Sequence, residues 1–538
     1  MTTITTIIIF ASVALLAAAN TYMELRRDLM MYQQNSYRNE RYRRWLSSSG
    51  DSTSRWRLCG LTIFLISLVR FSPQTGSMIL VGIFCAAQAV SLIRRRYKKP
   101  LVMTARATRL LCTSCAISLL AVAAATAIFA DGTAASILFT GTTALLGCYC
   151  ASHLLMMLSG ILLTPVEKAI NRRYWRDAAA RLEDMPDLTV IGITGSYGKT
   201  TTKHYLHRIL SEQFDTLMTP GSYNTTLGVV RTVREMLKPY HQVFIVEMGA
   251  KQLGDIKEIC DLVHPHYAII TAVGPQHLES FKTIENVQST KFELADALPA
   301  DGLVALNDDF EKIADRPVDN TRSLRYAVKN ADGADIAYSA RDIEYTPTGT
   351  SFDVLCHADG SRLHLTTRLV GECNISNILG AVVIARTLGV PDEKIRRAVE
   401  KIEQVEHRLS IKRIPGGLTI IDDAFNSNPV GSAMALDVLG AMTGGKRVLV
   451  TPGMIELGQQ QYELNCRFGE LAAAACDLAV VVGRYNREAI SEGLRKGGMP
   501  EKAIRTVDTF ADAQAVLAAE TRGGDIVLYE NDLPDTFK

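Results

Sequence analysis

Between Ile4 and Leu163 the chain carries a succession of apolar runs, several of them as long as a helix needs to cross a bilayer, and no other feature narrows its fold as far. In hydrocarbon every backbone N–H and C=O must find a partner inside the protein, which leaves helices or closed barrels. Unbroken apolar runs of about 20 residues, without period-2 alternation, select helices. Ile4–Leu25, Arg109–Ala130 and Ala134–Leu163 are such runs, the last long enough to tilt. Leu58–Phe71 and Ser77–Ile93 read as a helical hairpin about Ser72-Pro73-Gln74-Thr75-Gly76. Its first arm is short and ends beside Arg70, so it either re-enters or snorkels that charge to the interface. The reading is five spans, with four as the alternative. A cleaved signal peptide at Ile4–Leu25 fits less well, because no basic stretch precedes the run.

Orientation follows from the loops. Arg26 to Arg57 and Arg94 to Arg109 are rich in arginine, whereas Ser72–Gly76 and Asp131–Thr133 hold no lysine or arginine. Basic loops in the cytoplasm put the N-terminus outside and everything after Arg172 inside. The expected location is therefore a cell membrane, multi-pass, with cytoplasmic soluble domains. A formal net charge of +2 gives no reason to expect nucleic acid as a partner. The 11 cysteines are scattered; Cys112/Cys115 and Cys148/Cys150 lie in apolar runs without partnering ligands and read as small buried hydrophobes.

After Pro186 the pattern changes to soluble α/β. Leu188–Ile193 is a short β-branched run, hence a buried strand, followed by Thr194-Gly195-Ser196-Tyr197-Gly198-Lys199-Thr200-Thr201 and a helical stretch over Lys203–Glu212. A strand, a glycine-rich turn and a helix N-terminus form an anion site, because backbone N–H groups and the helix dipole converge on it. Gly195 and Gly198 allow the tight turn, Lys199 meets terminal phosphates and Thr200 ligates magnesium. The strict Walker pattern is missed at its first glycine, where Ile193 stands.

Further clusters follow in order. Gln242–Val246 is an apolar strand ending in Glu247-Met248-Gly249, a carboxylate at a strand's C-terminal edge, where α/β sheets bind ligands. Tyr267–Val273 is another, ending in Gly274-Pro275-Gln276-His277-Leu278-Glu279, with Lys291 on the next helix. Gly371-Glu372-Cys373-Asn374-Ile375-Ser376-Asn377 comes later, and then Ile420-Ile421-Asp422-Asp423-Ala424-Phe425-Asn426-Ser427-Asn428-Pro429. Singly each is weak. In this order, behind a phosphate loop, the set resembles the Mur ligase family, and within it the MurF-type branch that adds D-alanyl-D-alanine. That branch carries Asp-Asp-Ala-Tyr-Asn-Ala-Asn-Pro, matched by Asp422–Pro429 with Phe425 for the tyrosine.

The resemblance runs from about Leu188 to the C-terminus and implies an ATP-dependent amide-bond ligase of cell-wall peptide synthesis, working through an acyl phosphate. It implies that Thr194, Gly195, Ser196, Gly198, Lys199, Thr200 and Thr201 hold the ATP phosphates. Thr200 and Glu247 would bind one Mg2+ and His277 would help bind a second. Lys291 matches a lysine that relatives carbamylate into a carboxylate-like metal ligand. Asn374 and Asn377 fall where the family recognises adenine, and Arg408 where an arginine reaches the γ-phosphate. Asp423, or else Asp422, would hold the ribose, with Asn426 nearby. Asn224 and Asn428 would line the substrate cleft. The implied partners are a cell-wall peptide precursor, nucleotide- or lipid-linked, an amine such as D-alanyl-D-alanine, and membrane lipid.

Three departures bear on substrate. Membrane spans stand where the family has a domain gripping uridine diphosphate, which favours a lipid-linked carboxylate over a mere tether. The family's closing Lys-Gly-Ser-Arg becomes Glu530-Asn531-Asp532-Leu533, and Thr225-Thr226 replaces a usual asparagine in the substrate loop. A P-loop-driven transporter or sensor is the competing class, and an inactive scaffold the weaker one; few ionisable residues in the spans and an intact Lys199, Glu247, His277 and Lys291 weigh against them. A related ligase subunit carries a four-cysteine zinc ribbon, but Cys260, Cys356, Cys373, Cys466 and Cys476 lack paired spacing. The expected architecture is an all-α membrane domain over 1–172 and a P-loop α/β ATPase domain over 173–408, with a β-rich insertion at Ser323–Leu369. A Rossmann-like domain over 409–538 completes it.

Overall fold

The structure, a computed structural model, describes residues 3–69, 74–95, 97, 99–346, 349–425 and 427–532. It divides into two compact units, the first up to Asn171 and the second over Arg172–Asp532. Arg70 and the turn at Phe71–Pro73 lie outside the described residues, as does Asn426.

The first unit is all helical: α1 (Thr3–Gln34), α2 (Asn39–Ser49), α3 (Arg55–Leu68), α4 (Gln74–Arg94), α5 (Ala105–Phe129), α6 (Ala134–Cys150) and α7 (Ser152–Glu183). Four of these, α1, α4, α5 and α7, are long and apolar enough to cross a membrane. At 14 and 17 residues, α3 and α6 are shorter. The run expected as one tilted span, Ala134–Leu163, is instead two helices broken at Ala151, and α7 continues through the expected linker to Glu183. The cause is non-local. Arg57 on α3 donates to the carbonyls of Tyr149 and Cys150, at 3.5 and 3.4 Å, and to the Ser152 hydroxyl at 3.0 Å. A guanidinium aimed at those oxygens satisfies acceptors that the break releases.

That guanidinium belongs to a buried ionic cluster. Arg57 also pairs with Glu24 and Asp28, each at 3.0 Å, and Ser152 donates to Asp28 at 2.6 Å. Arg27 reaches Glu24 at 2.8 Å and also pairs with Asp51. Glu24 falls within the run expected to be a plain apolar span. Buried charges survive only when paired, and here the pairing joins α1, α3 and α7.

The second unit contains two sheets. The larger runs β2-β3-β1-β4-β5-β6-β7-β8-β9. Its strands are β1 (Thr189–Thr194), β2 (Thr216–Met218), β3 (Val243–Glu247), β4 (Tyr267–Ile270), β5 (Leu303–Asn307), β6 (Arg322–Ala327), β7 (Ile336–Thr346), β8 (Gly349–Cys356) and β9 (Arg362–Thr367). Strands β1 and β3 are parallel and buried along almost their whole length, as continuous apolar runs covered on both faces should be. The β-rich segment at Ser323–Leu369 extends this same sheet through antiparallel β7, β8 and β9, and β9 shows the alternating burial of a half-covered strand. The smaller sheet runs β10-β11-β15-β12-β13-β14. Its strands are β10 (Ser410–Arg413), β11 (Thr419–Asp423), β12 (Arg447–Thr451), β13 (Leu478–Val482), β14 (Ile504–Val507) and β15 (Ile526–Glu530). All its pairings are parallel except β10 with β11. Between the sheets, His407 and Leu409 flank Arg408 in left-handed backbone, with φ of 57° and 51°.

Candidate active site

Parallel pairing sets Ile193 opposite Glu247, so the carboxylate emerges beside the loop that leaves β1. The helix after the loop, α8 (Lys199–Leu210), starts at Lys199 rather than further on. Two glycines shape the turn. Gly198 has φ +77°, and a Cβ there would lie 2.5 Å from Asn377 Oδ1. Gly195 has φ +153°, with its would-be Cβ 2.1 Å from Thr271 Oγ1. Neither position admits a side chain in this conformation. The loop is pinned from β4's end: Ser196 N donates to Ala272 O at 2.7 Å, and the Ser196 hydroxyl donates to Gly274 O at 3.0 Å. Thr194 braces the other side, donating to Met248 O at 2.8 Å.

Glu247 is the hub. Its Oε1 accepts from the Thr200 hydroxyl at 3.1 Å and from Asn224 Nδ2 at 3.0 Å, and its Oε2 from Lys203 Nζ at 3.0 Å. Burial alone would raise its pKa, but Lys203, Lys199 and these hydrogen bonds outweigh it and hold the carboxyl below its ordinary range. Lys203 was not anticipated. It lies one turn beyond Lys199, is fully buried, and also donates to Gly221 O. Lys199 Nζ donates to Gly195 O at 2.7 Å, and burial pulls its pKa down to about 8 against the attraction of Glu247. Arg408 senses the same carboxylate, and its guanidinium stacks 4.2 Å from the ring centre of Phe425. Thr201 is buried on the first turn of α8.

Octahedral magnesium with ligands at ~2.1 Å sets adjacent oxygens about 3.0 Å apart. Thr200 Oγ1 and Glu247 Oε1, 3.1 Å apart, fit two neighbouring corners. Among the described residues no three His, Cys, Asp or Glu side chains form a ready-made metal cage. A hard cation held by one carboxylate, one hydroxyl and substrate phosphates needs none.

His277 stands in left-handed backbone with φ 53°, and its Nδ1 pairs with Glu456 from the smaller-sheet domain. Lys291 is buried at 2 % exposure on the helix Ile284–Asp296. Burial first and the Lys199 charge second push its ammonium well below the ordinary range.

The remaining expected residues fall in two places. Asn377 accepts from Thr202 on α8 at 3.1 Å. Asn374 Oδ1 accepts from Tyr205 on α8 at 2.7 Å, and its Nδ2 donates to Val370 O at 2.8 Å, four residues back in its own segment. Asp422 pairs with His407 at 2.8 Å, and Asp423 accepts from Leu409 N at 3.0 Å. Asp423 lies in register with fully buried Glu530; burial lifts the Asp423 carboxyl to about 6 and the Glu530 carboxyl well above its usual range. Asn428 caps the helix Pro429–Ala441, its side chain accepting from Gly431 N at 2.8 Å.

Two family models match this chain. The Mur ligase middle domain covers residues 193–385, and the Mur ligase glutamate ligase domain covers residues 407–529. Curated relatives include the UDP-N-acetylmuramoyl-tripeptide--D-alanyl-D-alanine ligases of Bacillus subtilis and Escherichia coli. The first is 26% identical over 63% of this chain and 72% of the relative. The second is 30% identical over 58% of this chain and 68% of the relative. A solved MurF from Acinetobacter baumannii superposes with a TM-score of 0.60 at 26% identity, covering 67% of this chain and 77% of that one. The fold is also that of a MurF ligase from Thermotoga maritima, with a TM-score of 0.60, 24% identity, and coverage of 67% of this chain and 80% of that one.

Proposed function

The chain belongs to the Mur ligase family, and from that premise we propose that it joins a cell-wall peptide carboxylate to an amine at the expense of ATP, forming ADP. The observation that carries this reading is the convergence of Thr200, Asn224 and Lys203 on one buried carboxylate, Glu247, beside a glycine-shaped phosphate loop whose Gly195 carbonyl accepts from Lys199. A carboxylate is a poor electrophile. Transfer of the γ-phosphoryl group to it gives an acyl phosphate, which the amine then attacks, releasing phosphate from a tetrahedral intermediate. Negative charge accumulates in both steps, and Lys199 and Arg408 supply the opposing charge. Magnesium, held by Thr200 and Glu247, would neutralise phosphate oxygens further. Arg408, in the linker between the two sheet domains, would follow their closure over the nucleotide.

His277 and Lys291 would hold a second cation. Burial favours the uncharged form of the Lys291 amine, which would add carbon dioxide with loss of one proton, and Lys199 would balance the resulting carbamate. Asp422 or Asp423 would hold the ribose, and Asn377 would border the base. We assign residues 1–172 as membrane anchor, 173–408 as ATPase domain and 409–538 as closing domain. The four long apolar helices support a multi-pass anchor; placing the catalytic unit in the cytoplasm rests on the arginine-rich loops and an odd number of crossings. With this anchor in front of the ATPase, the favoured carboxylate substrate is a lipid-linked peptide precursor presented at the bilayer.

The test is mass spectrometry of products, with ADP release followed in parallel. Purified full-length protein is offered nucleotide-linked or lipid-linked stem peptides, with D-alanyl-D-alanine or single amino acids. Amide product and ADP that require both peptide and amine are expected, with the lipid-linked peptide preferred. ATP turnover indifferent to any amine would refute the ligase; equal or better use of the nucleotide-linked peptide would refute the lipid-linked substrate alone.

A further inference from the structure

Outside the phosphate loop, a cluster of polar contacts joins the two sheet domains at Glu456. The segment Pro452–Gly458, which leaves β12, carries Glu456 against Leu278–Glu279 and His277. Its conformation is set within its own domain. Met454 and Leu457 are buried in the core beneath the smaller sheet. Asn465 Oδ1 accepts from Met454 N at 2.9 Å, and Asn486 Nδ2 donates to Pro452 O and Met454 O, each at 2.9 Å. Glu456 itself stands at φ 62°, left-handed backbone that a non-glycine residue adopts only at a cost. His277, which it meets, is in the same region. Two strained residues facing each other mark a contact that the surrounding structure imposes.

Glu456 is tied into the ATPase domain at three points. Its carboxylate pairs with His277 Nδ1, its Oε1 lies 3.7 Å from Lys251 Nζ, and its carbonyl accepts from Glu279 N at 3.1 Å. A carboxylate on Nδ1 fixes the imidazole tautomer: Nδ1 carries the proton and donates it, leaving the Nε2 lone pair directed away and free to ligate. Resting on the reading of His277 as a metal ligand, we propose that Glu456 is a positioning residue that orients His277 from across the domain boundary. Cation binding at His277 is thereby linked to docking of the smaller-sheet domain on the ATPase domain.

The probe is Mn2+ with a non-hydrolysable ATP analogue bound to the full-length protein. Nitrogen-14 electron spin-echo envelope modulation reports imidazole coordination, and a parallel titration gives Mn2+ affinity. Wild type is expected to show the imidazole coupling, and His277→Ala to lack it. In E456A the Mn2+ affinity should fall about 10–100-fold, the usual effect of losing such a partner. In E456Q, where an amide oxygen can still accept from Nδ1–H, affinity should stay within a few fold of wild type. E456Q also keeps the loop's shape if E456A proves unstable. Wild-type affinity and coupling in E456A would overturn the proposal while leaving the ligand assignment intact. Absence of the coupling in wild type would overturn both. An equal loss of nucleotide affinity in E456A and E456Q would assign the contact to folding alone and overturn the positioning role.

Discussion

The buried pair of Lys203 and Glu247 gives the sharpest test of the site's electrostatics, through Lys203→Met. Both side chains are almost fully buried and 3.0 Å apart, with Gly221 O also accepting from the ammonium. Removing one partner of such a pair costs about 3–5 kcal/mol, because the remaining charge is left in a poor solvent. The Thr200 hydroxyl and Asn224 amide continue to donate to Glu247, and Gly221 is exposed enough for water to replace the lysine. Those contacts favour the low end, about 3 kcal/mol, or on the order of 100-fold in the opening equilibrium of β3.

Amide hydrogen exchange of peptides covering Val243–Met248, in the full-length protein at pH 7, reads that factor directly. The pH dependence has a definite sign. In wild type the Glu247 pKa is lowered, so its contribution is present above the ordinary carboxylate value and lost as pH falls through the folded one. In K203M burial is less opposed and the pKa rises, so the variant gains relative stability as pH falls and its deficit shrinks toward pH 5. Adding Glu247→Gln removes the orphaned charge, and the K203M deficit should then fall below about 1 kcal/mol. Protection of β3 within threefold of wild type would refute the argument, as would the same deficit in the E247Q background.

Lys199, held near 8 by burial, should regain an ordinary ammonium pKa when phosphates approach, so nucleotide binding takes up a proton above that pH. Calorimetric affinity for ATP should therefore fall as pH rises beyond about 8, by up to tenfold per unit, and Lys199→Arg should flatten the profile. The raised carboxyls of Asp423 and Glu530 stabilise the smaller-sheet domain fully only below ordinary carboxylate values. Exchange protection of β15, corrected for intrinsic rate, should decline as pH rises from about 4 through about 6, and Glu530→Gln should reduce that slope.

Legibility in the sequence followed how local each feature is. The phosphate loop was readable because strand, turn and helix N-terminus are contiguous, and β1 and β3 because fully covered parallel strands leave continuous apolar runs. The apolar helices were readable from composition, yet the break at Ala151 was not, because its cause, Arg57, lies far away in the chain. Lys203 had a signal that a face-by-face reading of α8 contains: it follows Lys199 by four residues, on the same side. A lysine on a helix defaults to solvent, and only the position of Glu247 makes this one a counter-ion. Asn428, expected to line the substrate cleft, also has the Asn-Pro pattern of a helix start, and its side chain caps that helix. Glu456 had no local signal beyond a glycine at either end of its loop, Gly453 and Gly458. It acquires meaning only when two separately folded sheets meet. On the function proposed, the phosphate loop is written locally in one domain, whereas Glu456 and Arg408, which would act with it, come from the other domain or the linker to it. On this physical reading, nucleotide binding should survive domain separation far better than cation binding at His277 does.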